Sequence, residues 1–145
     1  MSYQLQAFVA PVGRLAELAA FGGRSIELPQ GFGLIAVDER FRLCNRIEWL
    51  ALLECDSSAA EPVRALGTFA CKAGAIAYVE AMFWGGMGTQ ASWVFDPITQ
   101  SQPTKGADAI NQALSQLGAR RGSAIDEFAA LGLGSRRSTE EWLAA

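Results

Sequence analysis

The order of apolar patterns along the chain predicts an α+β fold in one domain, residues 1–145, with an antiparallel or mixed sheet, a central β-hairpin and helices packed on it. Strand-like segments come early and in the middle of the sequence, helix-like segments are inserted between them, and the C-terminal part is helical. Half of the 145 residues are apolar, and no linker, repeat or low-complexity tract divides the chain. This length can bury one core without metal or disulfide bonds.

The N-terminal segment predicts a strand followed by a helix. Residues 3–9 alternate in polarity, with Gln4 and Gln6 on one face and apolar side chains on the other, as in a half-buried strand. Pro11 ends this alternation, and residues 12–21 then carry apolar side chains at helical spacing. The Gly-Gly pair that follows can end the helix.

Two more strands and a short helix follow, and then a segment whose pattern is ambiguous. Residues 25–29 and 31–37 read as strands joined by a turn. Asp38 can cap a short helix over residues 39–45. Residues 46–56 are rich in apolar side chains, and periodicity alone allows either a buried helix or a buried strand there.

The remaining helices are predicted from apolar stripes, capping pairs and glycine stops. Four are expected, over residues 63–74, 107–118, 123–134 and 139–144. In a capping box, a Ser side chain and an acidic side chain three residues later satisfy each other's free backbone N–H groups. This spacing occurs at Ser58 with Glu61, at Ser123 with Asp126 and at Ser138 with Glu141.

The charge balance and the hydropathy argue against two broad classes of partner. The formal net charge is −3, and the basic pairs at 120–121 and 136–137 are each followed by acidic residues, so we expect no nucleic-acid partner. The N-terminus lacks the basic and apolar regions of a signal peptide, and no run approaches the roughly 18 apolar residues of a membrane span. We therefore expect no membrane partner and a cytoplasmic location.

Few residue types are available for chemistry. The chain has no histidine, which excludes Ser-His-Asp and Cys-His units and the imidazole ligands of common zinc sites. Cys44, Cys55 and Cys71 are far apart and form no C-x-x-C pair, so we expect reduced, buried thiols. The sequence predicts no cofactor and no metal, we assign no catalytic residue, and an enzymatic role is less expected than a binding role.

Residues 75–95 predict a β-hairpin that is rich in aromatic side chains. Two β-favouring segments, 75–84 and 89–95, flank the residues 85–88, whose glycines allow the positive φ of a tight reversal. A phosphate-binding loop would lead from a strand into a helix. Here a strand leads into a strand, so nucleotide binding is not expected.

The loop length decides which side chains of this hairpin share a face. A loop of two or four residues is expected to pair Trp84 with Thr89, Met82 with Ala91, Glu80 with Trp93 and Tyr78 with Phe95. One face would then carry Tyr78, Glu80, Met82, Trp84, Trp93 and Phe95. A loop of odd length would regroup the second strand. We expect Met82, Trp84 and Trp93 to belong to the core, whereas an exposed version of this face would suit a protein interface.

Glu80 is the one acid in this aromatic hairpin. A carboxylate in such surroundings finds a partner, stays at a wet margin or has a raised pKa. Three interpretations stay open: a hydrogen bond to Tyr78 or to a backbone amide, recognition of a partner or small ligand, and general acid–base chemistry. Gln90 is open in the same way, as a turn residue or as a ligand contact.

Three segments in the second half of the chain read as linked motifs: "AYVEAMFWGGMGTQASWVF", "AINQALSQLG" and "DEFAALGLGSRRSTEEWL". Together they resemble a group of small, uncharacterised bacterial proteins whose pattern is roughly Y-x-E-A-x-x-F-G-G-x-G-x-Q, then I-N-x-A-L, then a tail that contains R-S-T-x-x-W. Trp84 stands where that pattern usually has Phe. The resemblance implies a shared α+β fold and no established activity. It also implies a constellation of Glu80, Gly85, Gly86, Gly88, Gln90 and Asn111.

These observations favour a bacterial cytoplasmic protein that binds a protein partner without catalysis, and an immunity-type toxin neutraliser is one version. The first alternative is a small-molecule-binding or enzymatic domain with a pocket near Glu80. The second is a self-associating structural module, such as a homodimer. The candidate binding residues are Tyr78, Glu80, Trp84, Gly85, Gly86, Gly88, Gln90 and Asn111.

Overall fold

The computed structural model describes residues 2–85, 87–99 and 101–144, which form an α+β fold around an antiparallel sheet. The strands are β1 (Ser2–Pro11), β2 (Ser25–Glu27), β3 (Phe32–Ala36), β4 (Ile76–Trp84), β5 (Met87–Phe95) and β6 (Thr104–Lys105). The α-helices are α1 (Ala16–Ala19), α2 (Glu39–Asn45), α3 (Ala60–Ala70), α4 (Ala109–Gln116) and α5 (Glu127–Ala130). Short 3-10 turns cover Val12–Leu15, Pro29–Gly31, Ser57–Ala59, Cys71–Ala73, Leu133–Ser135 and Glu140–Trp142. The strand order β2-β3-β1-β4-β5-β6 confirms the predicted class and places the hairpin next to the central strand.

Both faces of the central strand β1 are covered. On one face, Phe8 packs against Phe41 of α2, with ring centroids 6.3 Å apart. On the other face, Tyr3 packs against Phe128 of α5, with centroids 5.7 Å apart. The prediction of a half-buried β1 is therefore wrong, because helices lie on both sides of the sheet and the side chain of Gln6 is 0% exposed.

Helix α3 shares the face of α2, and helix α4 covers the opposite face. Gly67 of α3 lies against the ring of Phe95, and a Cβ atom added at Gly67 would come within 2.6 Å of Phe95 Cγ. On the other side, the Ser92 hydroxyl of β5 donates to the carbonyl of Ala109 at 2.9 Å, where α4 begins. We call these two sides of the sheet the α3 face and the α4 face.

The start of α2 and the end of α4 agree with the sequence analysis. The Asp38 side chain caps α2 by accepting a hydrogen bond from the Phe41 amide at 3.0 Å. Gly118, with φ 99°, follows the last turn of α4, as its predicted role as a stop requires. No helix among the described residues is long and apolar enough to cross a membrane.

The predicted capping boxes are wrong, because aspartates or backbone groups take the place of the serines. Asp56 accepts from the Ser58 amide at 3.1 Å, and Asp126 accepts from the Ala129 amide at 2.8 Å. Neither Ser123 nor Ser138 caps a helix. An aspartate placed directly at the N-cap satisfies a free amide of the first turn by itself, so the box is not needed.

Residues 46–56 form neither the helix nor the strand that their apolar composition allowed. They run as irregular turns between α2 and the 3-10 turn that precedes α3. Arg46 (φ 60°) and Leu50 (φ 47°) lie in the left-handed region, which residues with a Cβ atom rarely adopt. The buried apolar side chains of this segment are Ile47, Leu50, Ala51 and Leu52.

The hairpin pairs two residues away from the expected register. The observed pairs are Trp84 with Met87, Met82 with Thr89, Glu80 with Ala91 and Tyr78 with Trp93. The four predicted pairs are therefore wrong, because β5 begins at Met87 rather than after Gly88. The predicted grouping of side chains by face is nonetheless confirmed, since a shift of two residues keeps every side chain on its face.

The C-terminal tail completes the edge of β1. This strand pairs with β4 along most of its length but with β3 only from Ala7 to Pro11. Along the rest of that edge, the Gln4 amide donates to the carbonyl of Arg137 at 2.8 Å, and the Gln6 amide donates to Thr139 Oγ1 at 2.9 Å. Thr139 is 0% exposed, so the tail is part of the interior of the fold.

Candidate functional site

Glu80 lies at the centre of the α3 face, 0% exposed, with its carboxylate bound to the backbone of residues 46–56. The Leu52 amide donates to both carboxylate oxygens at 3.0 Å, and the Leu53 amide donates to Oε1 at 3.0 Å. The hydroxyl of Tyr78 donates to Oε2. Of the three interpretations of Glu80, the structure shows the first, because the carboxylate accepts hydrogen bonds both from Tyr78 and from backbone amides. The side chain lies in the core, however, and not at a wet margin.

Gln6 extends this arrangement from the neighbouring strand, where it is the direct cross-strand partner of Glu80. Its Nε2 group donates to the hydroxyl oxygen of Tyr78 at 2.8 Å and to the carbonyl of Glu48 at 2.9 Å. Its Oε1 atom accepts from the Leu50 amide at 3.1 Å. We call Gln6, Tyr78 and Glu80 the buried polar network.

Burial is the largest influence on both ionisable groups of this network. It raises the pKa of Glu80, while the hydrogen bonds from Tyr78 and two backbone amides, and the charge of Lys105, act in the opposite direction. Lys105 lies in the same row of the sheet, beyond Ala91. Burial, and then the Glu80 charge, raise the pKa of Tyr78 well above its usual value, so its hydroxyl keeps its proton and donates.

The Glu80 side chain is fully buried, and it does not line the cavity that lies beside the residues it binds. A cavity of about 360 Å³ lies beside residues 51–57, and its lining includes Leu52 and Lys105 but not Glu80. The amide of Leu52, one of the lining residues, binds the Glu80 carboxylate. Glu80 therefore holds a residue of the cavity wall in place and is not itself part of the lining.

Gln90 and Asn111 each hold the start of a helix. Gln90 is 8% exposed in β5, and its Oε1 atom accepts from the Ile110 amide in the first turn of α4 at 3.1 Å. The Oδ1 atom of Asn111 accepts from the Phe128 amide at the start of α5 at 2.8 Å. Because Gln90 pairs with Ala81, it points to the α4 face, opposite Glu80. Among the described candidates, Glu80 and Gln90 thus lie on opposite faces of the sheet and do not converge on one ligand.

Two of the three candidate glycines serve the backbone of the hairpin. Gly85 has φ 58°, the left-handed conformation that the reversal needs. Gly88 lies opposite Phe83, and a Cβ atom there would come within 2.7 Å of Phe83 Cα. The third candidate, Gly86, lies outside the described residues.

The end of the hairpin exposes two large apolar side chains, Trp84 at 74% and Met87 at 79%. They form a cross-strand pair on the α3 face, and we call these two residues the hairpin tip. The expectation that Trp84 belongs to the core is wrong, whereas Trp93 is buried as expected. Trp84 is exposed because burial on the α3 face decreases toward the end of the hairpin. Along β4, Glu80 is buried, Met82 is half-buried and Trp84 is exposed.

A second cavity, of about 630 Å³, lies between α3 and the connection from β5 to β6. Its two cations are engaged with other side chains. Arg64 Nε donates to Glu61 at 2.8 Å, and Lys72 Nζ lies 3.9 Å from the ring centroid of Phe69. The indole of Trp93 in its wall is only 7% exposed, which leaves little aromatic surface for stacking.

The cysteines depart in part from the expectation of buried thiols. Cys71 is buried, Cys55 is half-buried and Cys44 is exposed. Burial, followed by the charges of nearby acids such as Glu48 and Glu80, raises the pKa of Cys55, which makes its thiol a weak nucleophile. Within the described ranges, no group of three or more Cys, Asp and Glu side chains is arranged to hold a metal ion.

Comparison with protein-family models, with curated proteins and with solved structures finds no match to this chain. The function therefore has to be argued from the side chains of the molecule itself. Three of the residues that matter most in the structure carry no recognisable sequence signature: Gln6, Met87 and Thr139. The first lies in an alternating pattern that reads as solvent-facing, and the last in a tail that reads as a plain capped turn.

Proposed function

We propose that this protein is a non-catalytic binding protein that contacts another protein through the hairpin tip. The observation that carries this proposal is the side-by-side exposure of Trp84 and Met87, at 74% and 79%, at the end of a hairpin whose base is fixed in the core. Trp and Met are enriched in protein interfaces, and Trp is among the residues that most often dominate binding energy. A rigid base lowers the entropy that the tip loses on binding.

The surroundings of the tip support an apolar contact. Among the described residues, the neighbouring side chains of the sheet on the same face are those of Ser2, Gln4, Met82 and Thr89, and none of them is charged. The chain as a whole carries 12 basic and 15 acidic residues, so an uncharged end is a local property. Depletion of charge is the compositional mark of an interface core.

The size of the tip favours insertion into a recess over self-association. At about 150–250 Å² for a large aromatic side chain, the two residues offer at most about half of the roughly 800 Å² that each side of a stable interface buries. Two tips in contact would therefore not hold a dimer. A partner with an apolar recess can contact the tip from several sides and also bury the flanking strand ends.

A bacterial toxin with an apolar cleft bordered by basic residues is the partner that fits this chemistry. The tip would fill the cleft, and the acidic surface of this protein, with a net charge of −3, would meet the basic border. Neutralisation would follow from blocking the cleft, which needs no catalytic group on this chain.

The alternative with a ligand pocket near Glu80 lacks the feature on which it depends. The Glu80 carboxylate is fully buried, and it accepts hydrogen bonds from the protein's own amides and from Tyr78. A residue whose acceptors are occupied in this way does not offer them to a small molecule.

The test is capture of a partner by immobilised wild-type protein, followed by an affinity measurement with that purified partner. We expect Trp84→Ala/Met87→Ala to weaken binding by about 30-fold or more, the loss typical of interface hot spots. The matched control is Leu43→Ala/Ile125→Ala, which removes two apolar side chains that are 72% and 81% exposed elsewhere on the surface.

The control variant should bind as the wild type does. Equal binding by the tip variant and the wild type would reject the proposed surface. A wild-type dimer in sedimentation experiments that becomes monomeric in the tip variant would replace the proposal with self-association.

A further inference from the structure

The buried polar network joins the sheet to the irregular segment 46–56 through side chains alone. We propose that this network is a latch that accommodates one carboxyl group and no more, and that the acceptor oxygens of this group hold residues 46–56 in their irregular path. The inference does not depend on the proposed function, because it concerns the conformation of the segment and not its partner.

Residues 46–56 depend on the network because they have few other polar connections. Among the described residues, no backbone–backbone hydrogen bond joins this segment to the sheet. The Leu50 amide and the Glu48 carbonyl bind Gln6, and the amides of Leu52 and Leu53 bind Glu80. Since Leu50 also occupies the left-handed region, the segment has a conformation that its own residue types do not favour.

The donors and acceptors of the network determine which group donates in each of its hydrogen bonds. Gln6 presents its Oε1 atom to a backbone amide, so its Nε2 group faces Tyr78 and donates to the hydroxyl oxygen. The hydroxyl hydrogen is then free to donate only to the remaining neighbour, Glu80. Glu80 must accept this bond together with those of the Leu52 and Leu53 amides, and a carboxylate without a proton can accept all three.

The same assignment of hydrogens to acceptors shows that the network accommodates one charge and not two. Tyr78 has one hydroxyl hydrogen, which can serve one carboxylate at a time. A second carboxylate at position 6 would lie directly opposite Glu80 in a buried cross-strand pair, without a hydrogen for the contact with Tyr78. If the charge moved from position 80 to position 6, however, Tyr78 could reverse its donation and serve it there.

The decisive experiment is therefore a charge swap. Gln6→Glu alone should lower Tm by about 10 °C, the scale expected when a buried charge is left uncompensated. The double variant Gln6→Glu/Glu80→Gln should recover about half of that loss or more. It should not recover all of it, because the carbonyl of Glu48 loses the Nε2 donor of Gln6.

The matched control places the same acid two residues earlier on the same strand and face. Gln4→Glu/Glu80→Gln has the same net charge, but Gln4 pairs with Met82 and does not contact Tyr78. We expect no gain in Tm for this pair relative to Glu80→Gln. A swap that is no more stable than Gln6→Glu, or that fails to fold along with it, overturns the latch.

A second variant tests whether the latch holds the segment. Glu80→Met keeps a similar volume and removes both acceptor oxygens, so the amide of Leu52, which has no other acceptor among the described residues, should exchange hydrogen about 10- to 100-fold faster than in the wild type. The mid-strand amide of Val79 should keep its wild-type protection. If the Leu52 amide exchanges at the wild-type rate, the network does not hold residues 46–56 and the inference is wrong.

Discussion

Burial and hydrogen bonding act in opposite directions on the pKa of Glu80, and burial has the larger effect. The carboxylate is tolerated in the core because its oxygens accept hydrogen bonds from two backbone amides and from Tyr78. A residue that reads in the sequence as a candidate for recognition or acid–base chemistry thus has a structural use. It supplies acceptors to a backbone segment that has no strand or helix to satisfy it.

The stability of the fold should depend on pH through Glu80 with a defined sign. Because the folded pKa is raised, the protonated form is favoured in the fold, and its contribution is fully present below the ordinary carboxyl pKa of 4.5. This contribution is lost as the pH rises from there through the raised pKa. We expect the free energy of unfolding of the wild type to fall over this range relative to that of Glu80→Gln, as measured by urea denaturation at a series of pH values.

Asp56 provides a control of opposite sign for this pH series. Hydrogen bonds from the Ser58 side chain and amide lower its pKa, so its contribution is present above the ordinary pKa and is lost as the pH falls through the lowered value. The difference between the wild type and Asp56→Asn should therefore shrink toward acid pH. If the free energy of unfolding of the wild type also falls relative to that of Glu80→Gln toward acid pH, the raised pKa of Glu80 is contradicted.

At the scale of secondary-structure elements, the helices that were predicted correctly are determined by residues close to one another in the sequence. The apolar stripe of α4 and the N-cap of α2 at Asp38 are set by side chains within one or two turns, and both were found. Residues 46–56 were not predictable, because their path depends on Gln6 and Glu80, which are distant in sequence. The hairpin register was ambiguous for another reason: reversals of two or four residues place the same side chains on the same face.

The contact between α3 and the sheet gives a prediction about packing. Gly67→Ala should lower the free energy of unfolding by about 1–3 kcal/mol, because the new methyl group meets the ring of Phe95 and one of the two elements must shift. Gly13→Ala is the matched control, since a Cβ atom at Gly13 has no neighbour within 4 Å and its φ is not positive. Chemical denaturation of both variants measures the difference. Equal stability of the two variants would show that the Phe95 ring can move aside without lowering the free energy of unfolding.

At the scale of the whole molecule, the fold is held together by contacts between residues that are far apart in the sequence. Thr139 lies 133 residues from Gln6 along the chain, yet its hydroxyl accepts the hydrogen bond of the Gln6 amide. The Tyr3 hydroxyl similarly donates to the carbonyl of Leu133 at 2.9 Å. The sequence predicted the helical end of the chain but not this role, because a single buried hydroxyl has no period or motif.

The buried hydroxyl of Thr139 gives a prediction at this scale. Thr139→Val keeps the shape of the side chain and removes the acceptor, so the free energy of unfolding should fall by about 1–3 kcal/mol. Thr89→Val, at an exposed strand position, is the control and should change it by less than about 0.5 kcal/mol. Thermal denaturation compares the two. A Thr139 variant as stable as its control would mean that the Gln6 amide has found another partner.

The pairing of β1 with the tail also determines when this fold can be finished on the ribosome. Gln4 and Gln6 of β1 are synthesised well before their partners Arg137 and Thr139, since Thr139 lies 133 residues after Gln6. Until those residues have left the exit tunnel, the nascent chain has an open strand edge at the middle of its sheet. Such an edge can pair with another chain, so ribosome-bound intermediates should need protection that the released protein does not.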